Sequence, residues 1–322
     1  MMHSANSLQN CPICSTAAMT RSAFNRGSIR VAHRTILCAA QTLICWTLLM
    51  TSVEAQEQMA TVADKRIDEC SGLAASLRHP DSLWMHNDSG DKPRLFRVGT
   101  DGQTQAVCRI DNAKAVDWED ICSFDFRGES WLLIADVGDN QAKRKLGKSP
   151  CTLYLLREPQ DRKISSVDYD VRIRFEYDNG PHNCEGVAVD VERQEILLLT
   201  KESPLSAAVY HLPLDLSDSK QELVAEQLIR LPIAFATGLD ISADSRTLIA
   251  VTMWDGWVCH RQPEQDWDQA LRNQLHHVMM PQRKQGESVC FSADGRFVYV
   301  NSEKKKQPLW RLNVDNLVPG TR

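Results

Sequence analysis

The amino-acid sequence predicts an all-β fold, a five-bladed β-propeller, because one pattern recurs five times along the chain. In each repeat an apolar segment opens on a small or acidic residue. About seventeen positions later a second apolar segment ends on an acidic residue or, in the fourth repeat, on a tryptophan. A repeat length near fifty residues is typical of propellers. The five pairs are Ser71 with Asp88, Glu119 with Asp136, Glu185 with Glu202, Thr237 with Trp254, and Glu287 with Glu303.

The strands of each repeat follow in order. The segment after each opening residue is predicted to form the innermost strand of a blade, and short apolar runs bounded by Gly, Asp and Ser follow as further strands. A fourth strand is visible in four repeats, but only residues 317–322 remain for the fifth. We therefore predict that residues 60–67 supply this strand, pair with residues 309–312 and close the ring. A six-bladed ring would require shorter repeats than those observed.

Two segments depart from the strand pattern. Residues 140–150 form a charged insertion, which we interpret as a solvated surface loop. Residues 265–273 carry apolar side chains at helical spacing and are predicted to form the one helix, a decoration of a blade.

The first 55 residues have the character of a leader. Arginines precede an uncharged run over residues 35–53, which ends in Val53-Glu54-Ala55 before Gln56. We interpret residues 1–55 as a secretory signal peptide, with Met19 as an alternative start. The other interpretation is an uncleaved anchor helix, since an uncharged run of about nineteen residues nearly suffices to span a bilayer. Cleavage would leave residues 56–322 as a single secreted or periplasmic propeller domain with no stable membrane span.

The composition argues against one class of partner, nucleic acids. The formal net charge is −5, and no basic stripe with interleaved aromatic residues occurs, so no nucleic-acid partner is expected. An odd number of cysteines follows the leader, which leaves at least one unpaired in an oxidising compartment. We interpret most of them as small buried apolar side chains.

Acidic residues converge in the predicted ring. Inner-strand starts and second-strand ends lie at the same end of a blade, because neighbouring antiparallel strands run in opposite directions. Carboxylates so gathered repel one another unless a cation neutralises them. Lys201 and Lys304 are one source of positive charge, and a bound Ca²⁺, with about six to eight oxygen ligands, is the other. The predicted metal-binding residues are Asp88, Glu119, Asp136, Glu185, Glu202, Glu287 and Glu303.

Two of these acids begin the same short turn in adjacent repeats. Asp88-Ser89-Gly90-Asp91 and Asp136-Val137-Gly138-Asp139 align position for position. Two carboxylates flanking a glycine can direct several oxygens at one ion. Asp and Gly also dominate ordinary turns for backbone reasons, so the sequence leaves a ligand role and a turn role open.

The chain resembles a family of largely uncharacterised secreted bacterial β-propellers, which is similar, more distantly, to phytase-like and gluconolactonase-like propellers. The resemblance covers residues 67–315 and implies a propeller with an acidic, calcium-binding mouth, but no established reaction. Thr237 and Trp254 depart from the acidic pattern, which implies an open side for ligand entry. The segments that carry the resemblance are Glu69-Cys70-Ser71-Gly72-Leu73, Asn87-Asp88-Ser89-Gly90, Asp117-Trp118-Glu119-Asp120, Asp136-Val137-Gly138-Asp139-Asn140, Thr237-Gly238-Leu239-Asp240 and Gln285-Gly286-Glu287-Ser288.

Two histidines are candidates for proton transfer. His86 ends a second strand beside Asp88, and His182 precedes Glu185 by three residues. A histidine near a metal-bound water can act as a general base if it lies within hydrogen-bond reach. Both also fit a purely structural role as hydrogen-bonded loop histidines. Trp118, Trp254 and Trp257 fit either an aromatic wall for flat ligands or packing between blades.

Three functions are compatible with these residues. The first is a metal-dependent hydrolase of a phosphoester, ester or lactone, in which the cation activates water and a carboxylate, His86 or His182 moves the proton. The second is a non-catalytic binding module with a structural cation, and the third is a glycosidase with paired acids. The expected partner is a small polar ligand or an extracellular polymer, and the sequence does not define an oligomeric state. The fold does not choose among the three, because one fold carries many functions.

Overall fold

The computed structural model describes residues 56–203 and 205–318, and the predicted leader lies outside them. This part of the chain is built of strands, with one α-helix, α1 (Trp267–Asn273), and one 3₁₀ helix at Val314–Asn316, so the all-β prediction is confirmed. The strands are β1 (Gln56–Thr61), β2 (Cys70–Ala75), β3 (Ser82–Asn87), β4 (Arg94–Gly99), β5 (Thr104–Asp111), β6 (Trp118–Phe126), β7 (Glu129–Asp136), β8 (Cys151–Arg157), β9 (Ser166–Asp168), β10 (Val171–Tyr177), β11 (Cys184–Asp190), β12 (Glu195–Ser203), β13 (Ser206–Pro213), β14 (Lys220–Leu231), β15 (Ala236–Ile241), β16 (Thr247–Thr252), β17 (Gly256–His260), β18 (Leu275–Val278), β19 (Gly286–Phe291), β20 (Phe297–Ser302) and β21 (Pro308–Asn313).

These strands pair into successive antiparallel groups of four. Their first strands contact one another in cyclic order, β2 with β6, β6 with β11, β11 with β15, β15 with β19, and β19 with β2. Sheets arranged radially around such a ring of inner strands have the architecture of a β-propeller. The groups are β2-β3-β4-β5, β6-β7-β8-β10, β11-β12-β13-β14, β15-β16-β17-β18 and β19-β20-β21-β1.

The last group is completed by the N-terminal strand. β1 pairs antiparallel with β21, from Gln56 opposite Leu312 to Thr61 opposite Pro308. The sequence correctly placed this closing strand on the N-terminal side. Its predicted bounds, 60–67, were wrong, because the pairing begins at residue 56 and the strand ends at residue 61. The pairing leaves β21 with a partner on both sides, so it is not a free edge.

Two outer strands add parallel pairings that the repeat did not predict. The short strand β9 pairs with β5, and β10 pairs with β14 over Arg172–Lys220 to Tyr177–Ala225. The second pairing joins two neighbouring groups edge to edge into one eight-stranded sheet. The outer edges of β5, β10 and β14 are therefore covered, which removes exposed backbone donors and acceptors there.

The core lies between neighbouring sheets. The inner strands β2, β11, β15 and β19 are buried along their whole length, as expected for strands covered on both faces. Side chains such as Leu133, Phe175 and Leu198 fill the space between groups and are fully buried, each contributing about 1.5–3 kcal/mol by the hydrophobic effect. The seven described cysteines are also buried and form no disulfide among themselves, which agrees with the expected apolar role.

The helix α1 packs against strands of both the third and the fourth group. Asp266 accepts a hydrogen bond from the backbone N–H of Gln269 and so begins the helix, two residues later than predicted. Trp267 is buried, and its indole N–H donates to Asp190 at 2.8 Å. In the described part of the chain, helical segments are too short and too polar to cross a bilayer.

Candidate functional site: an acidic channel mouth

The starts of the inner strands meet at one end of the ring, which we call the mouth. Ser71 Oγ donates to the backbone carbonyl of Glu119 at 2.6 Å, and Thr237 Oγ1 donates to the carbonyl of Gly286 at 3.0 Å. These contacts place equivalent positions of neighbouring groups side by side. Five residues, one from each inner strand, therefore line the mouth: Ser71, Glu119, Glu185, Thr237 and Glu287.

The second strands return to this same end. Cys70 pairs with Asn87, Trp118 with Asp136, and Gly286 with Ser302. The recurring offset of the sequence is therefore the length of one hairpin, whose two ends lie side by side.

Three carboxylates converge in the mouth between the first two groups, and we call them the acidic triad. Asp88 follows β3, Asp117 precedes β6, and Glu119 lies within β6. One carboxylate oxygen from each lies within 4.8 Å of the other two. Gly138 packs directly against this cluster, since a Cβ there would overlap Glu119 Oε1 and lie 2.5 Å from Asp117 Oδ2. The backbone thus approaches the acids as closely as only glycine permits.

No basic side chain of the described residues forms a salt bridge with the acidic triad, although the charges of Arg144 and Lys201 act on Asp117 and Glu119 from further away. Neighbouring basic side chains of the described chain pair with other acids: Arg144 with Asp136, Lys201 with Glu185, and Lys304 with Glu303. Burial, followed by the charge of Asp88, raises the pKa of Asp117 to about 6. Burial also raises the pKa of Glu119 well above its ordinary value, and Glu185, Asp88 and Asp117 raise it further. Three close carboxyl groups in this environment resist ionisation unless a cation joins them.

Asp136 is turned away from the mouth. Its carboxylate pairs with Arg144 at 2.9 Å and accepts the backbone N–H of Asp117 at 3.0 Å. Arg144 belongs to the insertion at residues 140–150 and is itself buried. The interpretation of that insertion as a fully solvated charge run was therefore wrong at Arg144. The second Asp-x-Gly-Asp turn anchors a loop, and only the first leaves its leading aspartate facing other acids.

The remaining inner-strand acids have polar partners. Glu185 pairs with Lys201 Nζ at 2.8 Å and accepts a hydrogen bond from Asn183 at 2.5 Å. Glu287 accepts a hydrogen bond from Gln285 at 2.9 Å, and burial, with Glu303 and Glu185 adding to it, raises its pKa to about 8. Lys201, expected beside Glu202, thus neutralises Glu185 instead.

The acids at the second-strand ends of the third and fifth groups are held by local partners. Glu202 lies 2.8 Å from Nδ1 of His182 and 3.5 Å from Arg230. The other ring nitrogen of His182 contacts Tyr210 Oη at 2.9 Å. Glu303 pairs with Lys304 at 2.9 Å, as the sequence suggested. Both nitrogens of His182 are therefore occupied within the described structure.

His86 lies inside the protein rather than at the mouth. It is fully buried, its Nδ1 lies 2.9 Å from the carbonyl oxygen of Asn87, and its ring packs edge to face on Trp118 at 5.5 Å. Burial lowers the pKa of His86 to about 4, so the ring is neutral at physiological pH. Gly72 packs against its Nε2. This histidine fills the space between the first two inner strands.

Asp117 was not among the predicted ligands. The sequence nevertheless carried a signal for it, because Asp117 is an acid only two residues before the predicted ligand Glu119. Asp120 follows Glu119 directly, points into the channel and is fully buried. Its carboxylate accepts backbone N–H groups of Ile121 at 2.8 Å and Val187 at 2.9 Å, which links β6 to the neighbouring inner strand β11.

The side of the mouth without acids carries an aromatic surface. Trp254 is 56% exposed and packs edge to face on Phe235 at 5.2 Å. By contrast, Trp118 is buried and donates to the carbonyl of Lys114 at 2.8 Å. Trp257 is half-buried and packs edge to face on His277 at 5.1 Å, so Trp254 is the most exposed of the three tryptophans considered from the sequence.

Comparisons with known proteins give fold-level likenesses. No protein-family model matches the chain, and no curated protein sequence matches it. Similar solved structures include a nidogen/laminin complex, with 14% identity, 73% of each chain covered and a TM-score of 0.43. Another is a gluconolactonase of Xanthomonas campestris, with 12% identity over 79% of this chain and 88% of that chain, TM-score 0.43. A third is the Dos1 propeller, with 9% identity over 76% and 68%, TM-score 0.37. These likenesses assign no activity.

Proposed function

We propose that the chain is an exported five-bladed β-propeller whose mouth binds Ca²⁺ and hydrolyses a lactone, ester or phosphoester. The observation that supports this most is the acidic triad, Asp88, Asp117 and Glu119. Its three oxygens lie within 4.8 Å of one another. Two ligands on opposite sides of one ion, each at about 2.4 Å, are about 4.8 Å apart, so the spacing fits a calcium ion.

The triad would hold the ion through one oxygen of each residue. The remaining coordination positions would be left to water and substrate. A bound calcium ion supplies a polarising charge for a carbonyl or phosphoryl oxygen and lowers the pKa of bound water. Gly138 fixes the back of the site, because its lack of a side chain lets the chain pass close behind the carboxylates.

Glu287 is the group we propose for proton transfer at the mouth. Its pKa of about 8 allows it to exchange a proton near neutral pH, and it has one amide donor and no basic partner within salt-bridge distance in the described chain. Of the two histidines considered from the sequence, His86 is buried and neutral, and His182 is held by Glu202 and Tyr210. The carboxyl group therefore fits this role better than either ring.

Substrate binding is proposed on the side of Thr237 and Trp254. Trp254 offers an exposed aromatic face beside the acids, which suits the flat or apolar side of a small polar ligand such as a sugar lactone. Lys201, already paired with Glu185 on the neighbouring third group, provides a positive group for a substrate oxygen.

A non-catalytic binding module is the second candidate. One observation favours it: several mouth acids are already matched, Glu185 by Lys201 and Asn183, and Glu303 by Lys304. A calcium ion that simply closes such a surface would stabilise the fold without an open position for chemistry.

The two candidates are separated by measuring calcium binding and hydrolysis on the same protein. We expect calcium to raise the melting temperature of the domain that starts at Gln56, and lactone, ester or phosphoester hydrolysis to stop in chelator. The double variant Asp117→Asn/Glu119→Gln should lose both responses, whereas Glu226→Gln, an exposed acid on β14, should keep both. A calcium response without hydrolysis of any of the three substrate classes selects the binding module. A double variant with the full calcium response contradicts the site.

A further inference from the structure

A second cavity lies at the end of the ring opposite the mouth. Its volume is about 300 Å³, at the lower limit for small-ligand pockets. Residues at or near the ends of all five inner strands contribute to its wall, and we call it the bottom cavity. These residues are Ala75, Phe124, Val189, Ile241 and Phe291.

The bottom cavity is separate from the acidic mouth. Asp120 bridges the inner strands between the two ends, and the buried thiols of Cys122 and Cys290 lie on the same strands beyond it. None of the mouth carboxylates belongs to the wall of the bottom cavity. A ligand bound here would therefore not share the calcium site.

The charged residues in the wall of the bottom cavity are all acidic. Asp240 and Asp125 belong to its wall, and the wall contains no Lys, Arg or His. The Asp240 carboxylate accepts N–H groups of Ile241 at 2.8 Å and Phe291 at 2.7 Å, yet it has no basic side chain within salt-bridge distance in the described chain. Equivalent positions of the other inner strands carry Ala74, Cys122, Ala188 and Cys290, so this acid is an exception to an apolar pattern.

The rim of the bottom cavity is built from a repeated rigid turn. After β15 the chain reads Ile241-Ser242-Ala243-Asp244, and after β19 it reads Phe291-Ser292-Ala293-Asp294. In each turn the serine hydroxyl donates to the aspartate two residues later, at 2.6 and 2.7 Å, and accepts the N–H of the next strand at 2.9 Å. A preformed rim spares a ligand the entropic cost of ordering it.

We propose that the bottom cavity binds a small organic cation, with its ammonium group on Asp240 and its apolar part against Phe124 and Phe291. Both phenyl side chains can also interact with a cation through their ring faces. Burial raises the pKa of Asp240 to about 7, and a bound ammonium group would compensate the desolvation that causes this shift.

The probe is 2-phenylethylammonium, compared with neutral 2-phenylethanol and anionic 3-phenylpropanoate by calorimetry and ligand-observed NMR. We expect the cation to bind most tightly and the anion least. Asp240→Asn should weaken the cation by about tenfold or more and leave the neutral alcohol within about threefold, which corresponds to a loss specific to charge. Asp117→Asn, which removes one charge at the mouth, should change neither.

A second variant protects the test if Asp240→Asn does not fold. Ala243 is exposed at the rim, so Ala243→Trp should leave the fold intact and block entry of the cation and the alcohol. Equal binding of cation and alcohol by the unaltered protein would overturn the proposal. So would unchanged cation binding in Ala243→Trp, or loss of cation binding in the Asp117→Asn control.

Discussion

The carboxylate of Asp120 accepts the backbone N–H of Val187, 2.9 Å away on the inner strand of the neighbouring group. The same carboxylate also accepts the N–H of Leu239, on the next group again, at 3.4 Å. Together with Ile121 on its own strand, one side chain links the inner strands β6, β11 and β15.

Replacing this residue should destabilise the whole ring. Asp120→Ala leaves up to three buried N–H groups without an acceptor, and each such group costs about 1–3 kcal/mol. We expect the free energy of unfolding to fall by about 3 kcal/mol or more, measured by urea denaturation. Asp125→Ala is the control, because exposed Asp125 accepts only the N–H of Gly128 in a turn and should cost less than about 1 kcal/mol. Equal losses in both variants would contradict the linking role.

The stability of the calcium-free protein should fall as pH rises. The pKa of Asp117 is raised to about 6 and that of Glu287 to about 8. A carboxyl group with a raised folded-state pKa binds more protons folded than unfolded. Its contribution is complete below about pH 4 and is lost as pH rises through the folded pKa. We expect melting temperatures in chelator to decrease between pH 5 and 8.5.

Calcium and one variant provide the control for this pH effect. Added calcium should restore stability mainly at the upper end of the range, where the carboxyl groups are ionised. Asp117→Asn should remove the part of the decrease near pH 6. Scanning fluorimetry with calcium and with chelator measures both, and a profile that Asp117→Asn leaves unchanged would count against the assignment.

Gly138→Ala should damage the proposed calcium site without unfolding the domain. A Cβ at this position overlaps Glu119 Oε1 and crowds Asp117, while φ is not in the left-handed region, so alanine adds no backbone strain. We expect about a tenfold or greater loss of calcium affinity, which corresponds to about 1.4 kcal/mol. Gly128→Asn is the matched control, since Gly128 has φ +81° and open space around it. Calorimetric titration would show the idea to be mistaken if both variants bound alike.

Removing β1 should show how much the closing strand stabilises the domain. A protein starting at Val62 lacks β1, its pairing with β21 and the ion pair of Glu57 with Arg311. Exposing the edge of β21 should lower the melting temperature by about 10 °C, as expected for a loss of about 3 kcal/mol in a domain of this size, or cause aggregation. The protein starting at Gln56 is the reference. Identical melting curves would mean that β1 adds nothing.

The mature protein should begin near Gln56. The basic leader and the Val53-Glu54-Ala55 site predict cleavage there, and all the described residues of β1 would remain in the mature protein. N-terminal sequencing of protein from the native host should find no start before the mid-fifties. Intact leader in the membrane fraction would instead support the anchor interpretation.

The strand order could be predicted from the sequence because the repeat is periodic. Hairpin ends, inner strands and the closing strand all follow from short apolar runs and their spacing. The parallel pairing of β10 with β14 could not be predicted in this way, since it depends on how neighbouring groups tilt in space. The bounds of β1 also escaped the pattern, because an edge strand with exposed residues lacks strong alternation.

The site was harder to predict than the fold. Asp88 and Glu119 were found because they belong to the recurring pairs. Asp117 was missed because it lies two residues before such a pair begins, at a position where the other repeats carry Glu69, Asn183, Phe235 and Gln285. The ion pair of Asp136 with Arg144 could not be predicted either. Arg144 belongs to an insertion, and long-range pairing from a loop leaves no periodic trace in the sequence.

The pairing of β1 with β21 also affects how the chain reaches its native state. The first strand of the domain finds its partner only after nearly the whole chain has been synthesised, so this contact is among the most distant that the sequence allows. Until then Gln56–Thr61 has unpaired backbone groups, and the nascent domain exposes a sheet edge to its neighbours on the ribosome. The ring can therefore close only late in synthesis, when both ends of the domain are available to pair.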